Sequence, residues 1–440
     1  LSAHVIFLSI PGLREKDLAR MPRLSELAQQ GEVKPLTPSF PAVTLSVQAN
    51  LTTGELPAQH GVVANGYYWR DTGEVEMWTA WNDKVLRPQL WDRLHQQNPE
   101  LTSAVWFPMF SKGCGADYVC VPAPIHNPDG GESLWCYSKP DGLYQDLRER
   151  LGHFPLQHFW GPLANIQSSA WIVASAIEAA RRWRPNLFYI YLPHLDYAAQ
   201  KQGPDSWESH QACEQLDGEI GKLIDGLAAA YGDQELLWLA ATEYVITPVH
   251  HVAYPNRLLR AAGLLKVTHD EDGKELIDFT NTPAWALCDH QHAHVFVNEH
   301  ADINQVIAAL EGQQGIARVL TRDDQAEIGL DHARSGDLVT VSQPESWQAY
   351  YWWEDDERAP AFARTVDIHN KPGFDPVEMH FDPATRGIPL DATLVRGSHG
   401  APADSPQQRG LLLASRPGVI VAQAYRDIDV AKVVLKQFGP

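Results

Sequence analysis

The stretch from Pro38 to Asn65, PSFPAVTLSVQANLTTGELPAQHGVVAN, constrains this chain more than any other. Pro38 and Pro41 fix φ and remove N–H donors, so no helix can run into this stretch ahead of Pro41. Beyond Thr44, the residues Leu45, Ala49, Thr52 and Thr53 recur at helical spacing, which predicts a helix opening near Thr44. A helix start presents unpaired N–H groups and the positive end of the helix dipole. Such an end suits a phosphate or the alkoxide of an attacking threonine, and Thr44 is therefore the candidate nucleophile. The plainer reading of the same hydroxyl is a helix cap, the commoner fate of a threonine ahead of a helix.

The rest of the chain alternates strand and helix. His4 to Ser9 (HVIFLS) is an apolar run of strand length ending at Pro11-Gly12. Lys16 to Gln30 carries Leu18, Met21, Leu24 and Leu27 at helical spacing and stops at Gly31. Ser103 to Phe107, Asn186 to Leu192 and Leu236 to Ala241 read as further strands, and Ser168 to Arg182 and Gln211 to Ala230 as helices. This alternation predicts an α/β fold, a parallel sheet with helices on both faces. With 440 residues and 44% hydrophobic content, the chain can bury one large α/β core and carry an insertion. The alternation lapses from about Lys266 to Ile388, which predicts an inserted cap over 266–388 and a core made of 1–265 and 389–440.

Charge narrows the partners. Lys plus Arg is 35 and Asp plus Glu is 55, a net charge of −20, which argues against nucleic acid and anionic membrane surfaces. A phosphate site would have to be a local positive island built from metal, helix ends or a few arginines. The five cysteines are an odd number at no recurring zinc spacing, in a chain too large to need disulfide staples, so they are read as mostly reduced and buried. No apolar run reaches about 18 residues and no basic-plus-apolar leader opens the chain, so the expectation is no membrane insertion and a cytoplasmic location. Nothing in the sequence fixes the oligomeric state.

The Pro38–Asn65 stretch resembles the nucleophile region of the type I phosphodiesterase/nucleotide pyrophosphatase family of the alkaline phosphatase superfamily, whose pattern reads PSxPxxTxxxxxxLxTGxxPxxHGxxxN. Pro38, Ser39, Pro41, Thr44, Leu51, Thr53, Gly54, Pro57, His60, Gly61 and Asn65 fall on it. Thr247 to Val249 and Asn256 to Leu265 also follow the family, and the likeness resumes from Val395 to about Pro417. It implies an alkaline-phosphatase-like core, with a mostly parallel central sheet, helices on both faces and an inserted α+β cap. It also implies hydrolysis of phosphate esters, phosphodiesters, pyrophosphates or phosphonates, with a small phosphorylated or anionic substrate. In that scheme Thr44 attacks phosphorus and Asn65 donates a hydrogen bond to a non-bridging oxygen.

The family's metal ligands are only partly matched. One metal is held there by Asp, His and His; Asp196 and His399 match, while Gln200 stands at the second position. The other is held by Asp, Asp and His, where this chain has Pro11, Glu243 and Tyr244. An amide oxygen is a poor exchange for imidazole on zinc, proline offers no ligand, and tyrosine is no ordinary zinc ligand. The resemblance therefore implies a reduced site: one divalent ion, zinc, on Asp196, His399 and Glu243, each at the C-terminal end of a separate parallel strand, with Gln200 and Tyr244 as accessory groups.

Three histidines of the insertion recur at every second residue. His290, His292 and His294 are expected on one face of a strand, more simply as a solvated or hydrogen-bonded face than as metal or substrate contacts. His290, His292 and His369 are nonetheless kept as accessory candidates. The aromatic run Trp347 to Trp353 reads as packing under the cap before it reads as a stacking platform. The alternative to a hydrolase is a catalytically silent or repurposed relative that binds a small anionic metabolite. Retention of Thr44 and Asn65 favours the hydrolase, and the changes at Pro11, Gln200 and Tyr244 favour the alternative.

Overall fold

The computed structural model describes residues 3–126 and 132–439. Strand β1, His4–Ile10, is buried along its whole length, as its unbroken apolar sequence requires. The single helix expected over Lys16 to Gln30 is instead a 3₁₀ turn, Glu15–Arg20, followed by helix α1, Pro22–Gln30. The break has a local cause. Pro22 cannot donate into the preceding turn but suits the first position of a new helix.

In chain order the elements that frame the central sheet go on with β2 (Glu32–Thr37), α2 (Thr44–Thr53), β3 (Ser103–Trp106), β4 (Tyr118–Pro122), β5 (Cys136–Lys139), α3 (Ile166–Trp183), β6 (Leu187–Tyr191), α4 (His194–Gln202), α5 (Trp207–Tyr231) and β7 (Leu236–Thr242). The insertion contributes β8 (Ala284–Asp289), β9 (His292–Val297), β10 (Ile316–Leu320) and β11 (Leu338–Ser342). The chain closes with β12 (Gly410–Ala414), β13 (Tyr425–Arg426) and α6 (Asp427–Leu435).

Nine strands form the central sheet, in the order β13-β2-β12-β7-β1-β6-β3-β4-β5. Strands β7, β1, β6, β3 and β4 run parallel, while β12 and β5 are antiparallel to their neighbours. Alternate residues of β1 enter different cores. Ile6, Leu8 and Ile10 pack with Leu24 of α1, Ile172 of α3 and Leu216 of α5, whereas Val5 and Phe7 pack with Val47 of α2 and Val430 of α6. That period of two puts helices on both faces and buries each apolar side chain for about 1.5–3 kcal/mol. Phe7→Ala should cost about 3–5 kcal/mol.

Residues 284–342 hold a separate antiparallel sheet, in the order β8-β9-β11-β10. Its core takes in Trp347, Tyr350, Tyr351, Trp352 and Trp353, all buried, together with Leu259, Leu264 and Val395 from its flanks. The aromatic run therefore packs. Asn256 ties the flank to the new sheet through bonds to the Ala286 and Tyr350 carbonyls and from the Ala286 N–H. Among the described residues no helix is long and apolar enough to cross a membrane, and all five cysteines are buried free thiols.

Candidate active site

Helix α2 is buried on every side, and its first residue is Thr44. The cap is Val43, in extended conformation, and no side chain bonds to the helix end from that position. The Thr44 hydroxyl is thus not a cap: its Oγ1 lies 3.0 Å from the Tyr244 hydroxyl. The next N–H, that of Leu45, donates to Asn65 Oδ1, and the Asn65 side-chain amide and backbone N–H both donate to Asp289 at the end of β8. The insertion thereby fixes the position of Asn65 against the α2 N-terminus.

Several polar residues on either side of Thr44 in the sequence are structural anchors. Asp427, at the start of α6, accepts from the Ser39 N–H and hydroxyl and from the Asn50 amide. His60 accepts from the Val62 N–H at Nδ1, so its Nε2–H donates to Asn50 Oδ1. Both hold α2 from the side opposite its active end. Gln48, one helical turn after Thr44, donates to Glu243 Oε1 and accepts from the Met109 N–H. Its spacing from Thr44 could have flagged it, since i and i+4 share a helix face.

Glu243 and Tyr244 follow the end of β7. Glu243 Oε1 accepts from Ser9 Oγ at 2.6 Å as well as from Gln48, while Oε2 is buried without a partner. The Tyr244 hydroxyl reaches Asp196 Oδ1 at 3.4 Å, on the first turn of α4. The Tyr244 ring lies flat on His399, with centroids 3.5 Å apart and planes 5° from parallel. His399 Nδ1 bonds to the Ala42 carbonyl, which can only accept, so Nδ1 carries the proton and Nε2 is a buried lone pair without a partner. The glycines of the Gly-x-His-Gly turn are sterically required: a Cβ on Gly397 would strike the Ala199 carbonyl, and Gly400, at φ +109°, closes on His290 and Val43. His399 follows a two-residue ladder with Thr247–Pro248 and not a strand of the central sheet, unlike Asp196 and Glu243.

Burial sets the ionisation of the site. It pushes Asp196 up to about 7, Glu243 up to about 8 and Asp289 up to about 7. It pulls His399 down to about 3 and His290 well below the usual range. No lysine or arginine contributes to any of these shifts.

The insertion histidines depart from expectation. His290 is not on a strand but in the turn between β8 and β9, at φ 59°, where it stacks on Phe374 and packs tilted against His399, each at 3.7 Å. His292 and His294 are on β9 and are buried, not solvated. His294 is fully used, donating to the Val63 carbonyl and accepting from the Gly336 N–H. His292 packs edge-on to Phe40 with neither ring nitrogen partnered. His369 lies apart, with Nδ1 donating to the Met77 carbonyl.

A family profile described as type I phosphodiesterase / nucleotide pyrophosphatase matches residues 5–375. The chain belongs to the type I phosphodiesterase / nucleotide pyrophosphatase family. It is 23% identical over 280 residues to an uncharacterized pyrophosphatase/phosphodiesterase of Schizosaccharomyces pombe, a match covering 57% of this chain and 50% of that protein. It is 24% identical over 230 residues to human ectonucleotide pyrophosphatase/phosphodiesterase family member 1, covering 50% of this chain and 21% of the relative. The chain thus spans half or less of the length of these curated relatives. Among solved structures, phosphonoacetate hydrolase from Sinorhizobium meliloti 1021 in complex with phosphonoformate superposes with a TM-score of 0.66 at 18% identity, over 100% of this chain and 96% of that one. Murine ectonucleotide pyrophosphatase/phosphodiesterase 5 in complex with AMP superposes with a TM-score of 0.63 at 14% identity, over 99% and 95%.

Among the described residues, no group of three or more His, Cys, Asp or Glu side chains is arranged to hold a metal ion. Of the three expected ligands, Glu243 is held by Ser9 and Gln48, Asp196 is met by the tyrosine hydroxyl, and His399 is covered by the tyrosine ring. Among the described residues the buried Gln200 amide has no hydrogen-bond partner. Asp196, Glu243 and His399 do not make a zinc site in this arrangement.

Proposed function

We propose that this chain is a hydrolase of small phosphate esters, diesters, pyrophosphates or phosphonates, with Thr44 Oγ1 as the nucleophile. One observation carries the reading: Thr44 is the first residue of a buried helix, is released from capping by Val43, and spends its hydroxyl on a side chain at the end of the central sheet. The α2 N-terminus supplies a positive pole toward an incoming phosphoryl oxygen. Asn65, pinned by Asp289, orients the Leu45 N–H of that same turn and offers its second amide hydrogen to a non-bridging oxygen. The core of 1–265 and 389–440 carries Thr44, Asp196, Glu243 and His399, and the 266–388 insertion roofs them with His290 and Asp289. Family membership supports the substrate class, as do the phosphonate and AMP complexes of the structural neighbours. Five buried thiols support a reducing compartment, the cytoplasm.

The test is hydrolysis of bis(p-nitrophenyl) phosphate, p-nitrophenyl phosphate and phosphonoacetate by the wild type and by Thr44→Ala. Turnover that disappears in the variant, with the fold intact, supports the reading; wild-type rates in the variant would end it. A second reading, a silent member that binds a small anionic metabolite, is favoured by the Tyr244 ring lying over His399 where the family has a metal ligand. Binding of AMP or phosphonoformate without turnover of any of the three esters would select it.

A further inference from the structure

The geometry points to Tyr244 as the group that activates Thr44, relaying its proton to Asp196, in a site that works without a divalent ion. The inference rests on the reading of Thr44 as nucleophile and departs from what the resemblance implies. The Tyr244 O–H donates to Asp196 Oδ1 at 3.4 Å. The phenol oxygen is then free to accept the Thr44 O–H at 3.0 Å. The two bonds run in one direction, from Thr44 through Tyr244 to Asp196, and leave the Thr44 oxygen lone pairs for attack.

The relay is held in place by packing. The Tyr244 ring is sandwiched against His399, His399 is tied to the Ala42 carbonyl, and His290 backs it while resting on Phe374. This four-ring column runs from the end of β7 into the insertion and leaves the phenol no lateral freedom. The residue turning the column is His290, held at φ 59°, a conformation that costs of order 1–3 kcal/mol in a non-glycine residue and persists where the surroundings enforce it.

The step balances with water as the only co-reactant. As Thr44 Oγ bonds to phosphorus, its proton passes to the Tyr244 oxygen and the Tyr244 proton to Asp196 Oδ1, while the bond from phosphorus to the leaving oxygen breaks. Water then attacks the phosphothreonine and the P–Oγ bond breaks. The proton on Asp196 returns through Tyr244 to Thr44, and the proton shed by water is matched by the one the leaving alkoxide gains from solvent.

The experiment uses the full chain stripped with a chelator and shown metal-free by mass spectrometry, with bis(p-nitrophenyl) phosphate as probe. The stripped wild type is expected to keep its kcat. Tyr244→Phe retains the ring on His399 and loses only the hydroxyl; its kcat is expected to fall about 100-fold or more with KM within about 3-fold, the range of a lost proton-transfer group. Asp196→Asn, a second variant should the first fold poorly, is expected to show the same split. The proposal is overturned if stripping abolishes turnover and zinc restores it, or if both variants keep the wild-type kcat. Should the wild type hydrolyse nothing, with or without zinc, the reading of Thr44 itself falls and the relay with it, an outcome distinct from the other two.

Discussion

Tyr244 lies face to face on His399, centroids 3.5 Å apart and planes 5° from parallel. The contact joins the end of a central strand to a turn near the C-terminus of the chain. It seals one face of the imidazole that the resemblance assigns to a metal, and it aims the phenol at Thr44 and Asp196. Aromatic pairs ordinarily prefer offset or edge-to-face arrangements, so this close face-to-face contact contributes little beyond the area it buries. Its larger effect is on what the site can hold.

If the tyrosine is what excludes the ion, giving back the family's ligands should readmit it. The triple variant Pro11→Asp, Gln200→His, Tyr244→His is expected to bind zinc where the wild type does not, measured as metal per chain after dialysis. Gly12 N–H bonds to the Tyr244 carbonyl, so the first and third positions are adjacent. Metal content equal to the wild type would mean that the supporting hydrogen bonds of the ligands have been rebuilt as well.

Asp427 should matter for stability far from the chemistry. It accepts from the Ser39 N–H, the Ser39 hydroxyl and the Asn50 amide, all buried. Asp427→Ala strands these donors, each at about 1–3 kcal/mol, so the variant is expected to lose several kcal/mol in denaturant unfolding. A loss below about 1 kcal/mol would show that water replaces the carboxylate.

Lys371 is buried with Asp375 at 2.8 Å and Glu378 at 2.7 Å, and also donates to the Thr365 carbonyl. Both carboxylates depend on it for charge balance, although Glu378 also accepts from the Trp160 indole. Lys371→Met should destabilise the fold by about 3–5 kcal/mol, because it leaves two buried acids unpaired. Adding Glu378→Gln to that variant is expected to recover part of the loss, and no recovery would place the damage in packing.

His60 weakens the fold in acid. Burial, aided by His332 and Arg334, pulls its pKa from 6.5 to about 3. The folded state keeps the ring neutral while the unfolded chain takes up a proton below pH 6.5. Stability is therefore untouched above that pH and falls as pH drops from 6.5 toward 3. At pH 5 this one residue opposes folding by about 2 kcal/mol. His60→Gln should flatten the difference between unfolding free energies at pH 7.5 and pH 5 by that amount. An unchanged difference would mean that His60 is protonated in the folded state.

What the sequence determined by itself is what acts locally. Two prolines ahead of Thr44 and Gly54 behind Thr53, the latter at φ 73° as the C-cap, set where α2 starts and stops. Unbroken apolar runs marked β1, β6 and β7 as buried strands, since a sheet covered on both faces buries the side chains of both. Even there Pro22 split a helix whose apolar spacing looked continuous. The tertiary structure alone decided which groups meet. Thr44, Asp196, Tyr244 and His399 come from separate segments, and nothing in their local sequence says that the tyrosine ring will cover the imidazole or that its hydroxyl will stand between a threonine and a carboxylate. His290 looked like a strand residue because its spacing from His292 fits a pleat, yet a turn lies between them. That turn exists because Asp289 and His292 close the β8–β9 pair, a contact made across the hairpin and not along the chain. Side-chain periodicity reports which face of an element is buried, but the partner on that face is set by packing between elements, and the chemistry of this site resides in that packing.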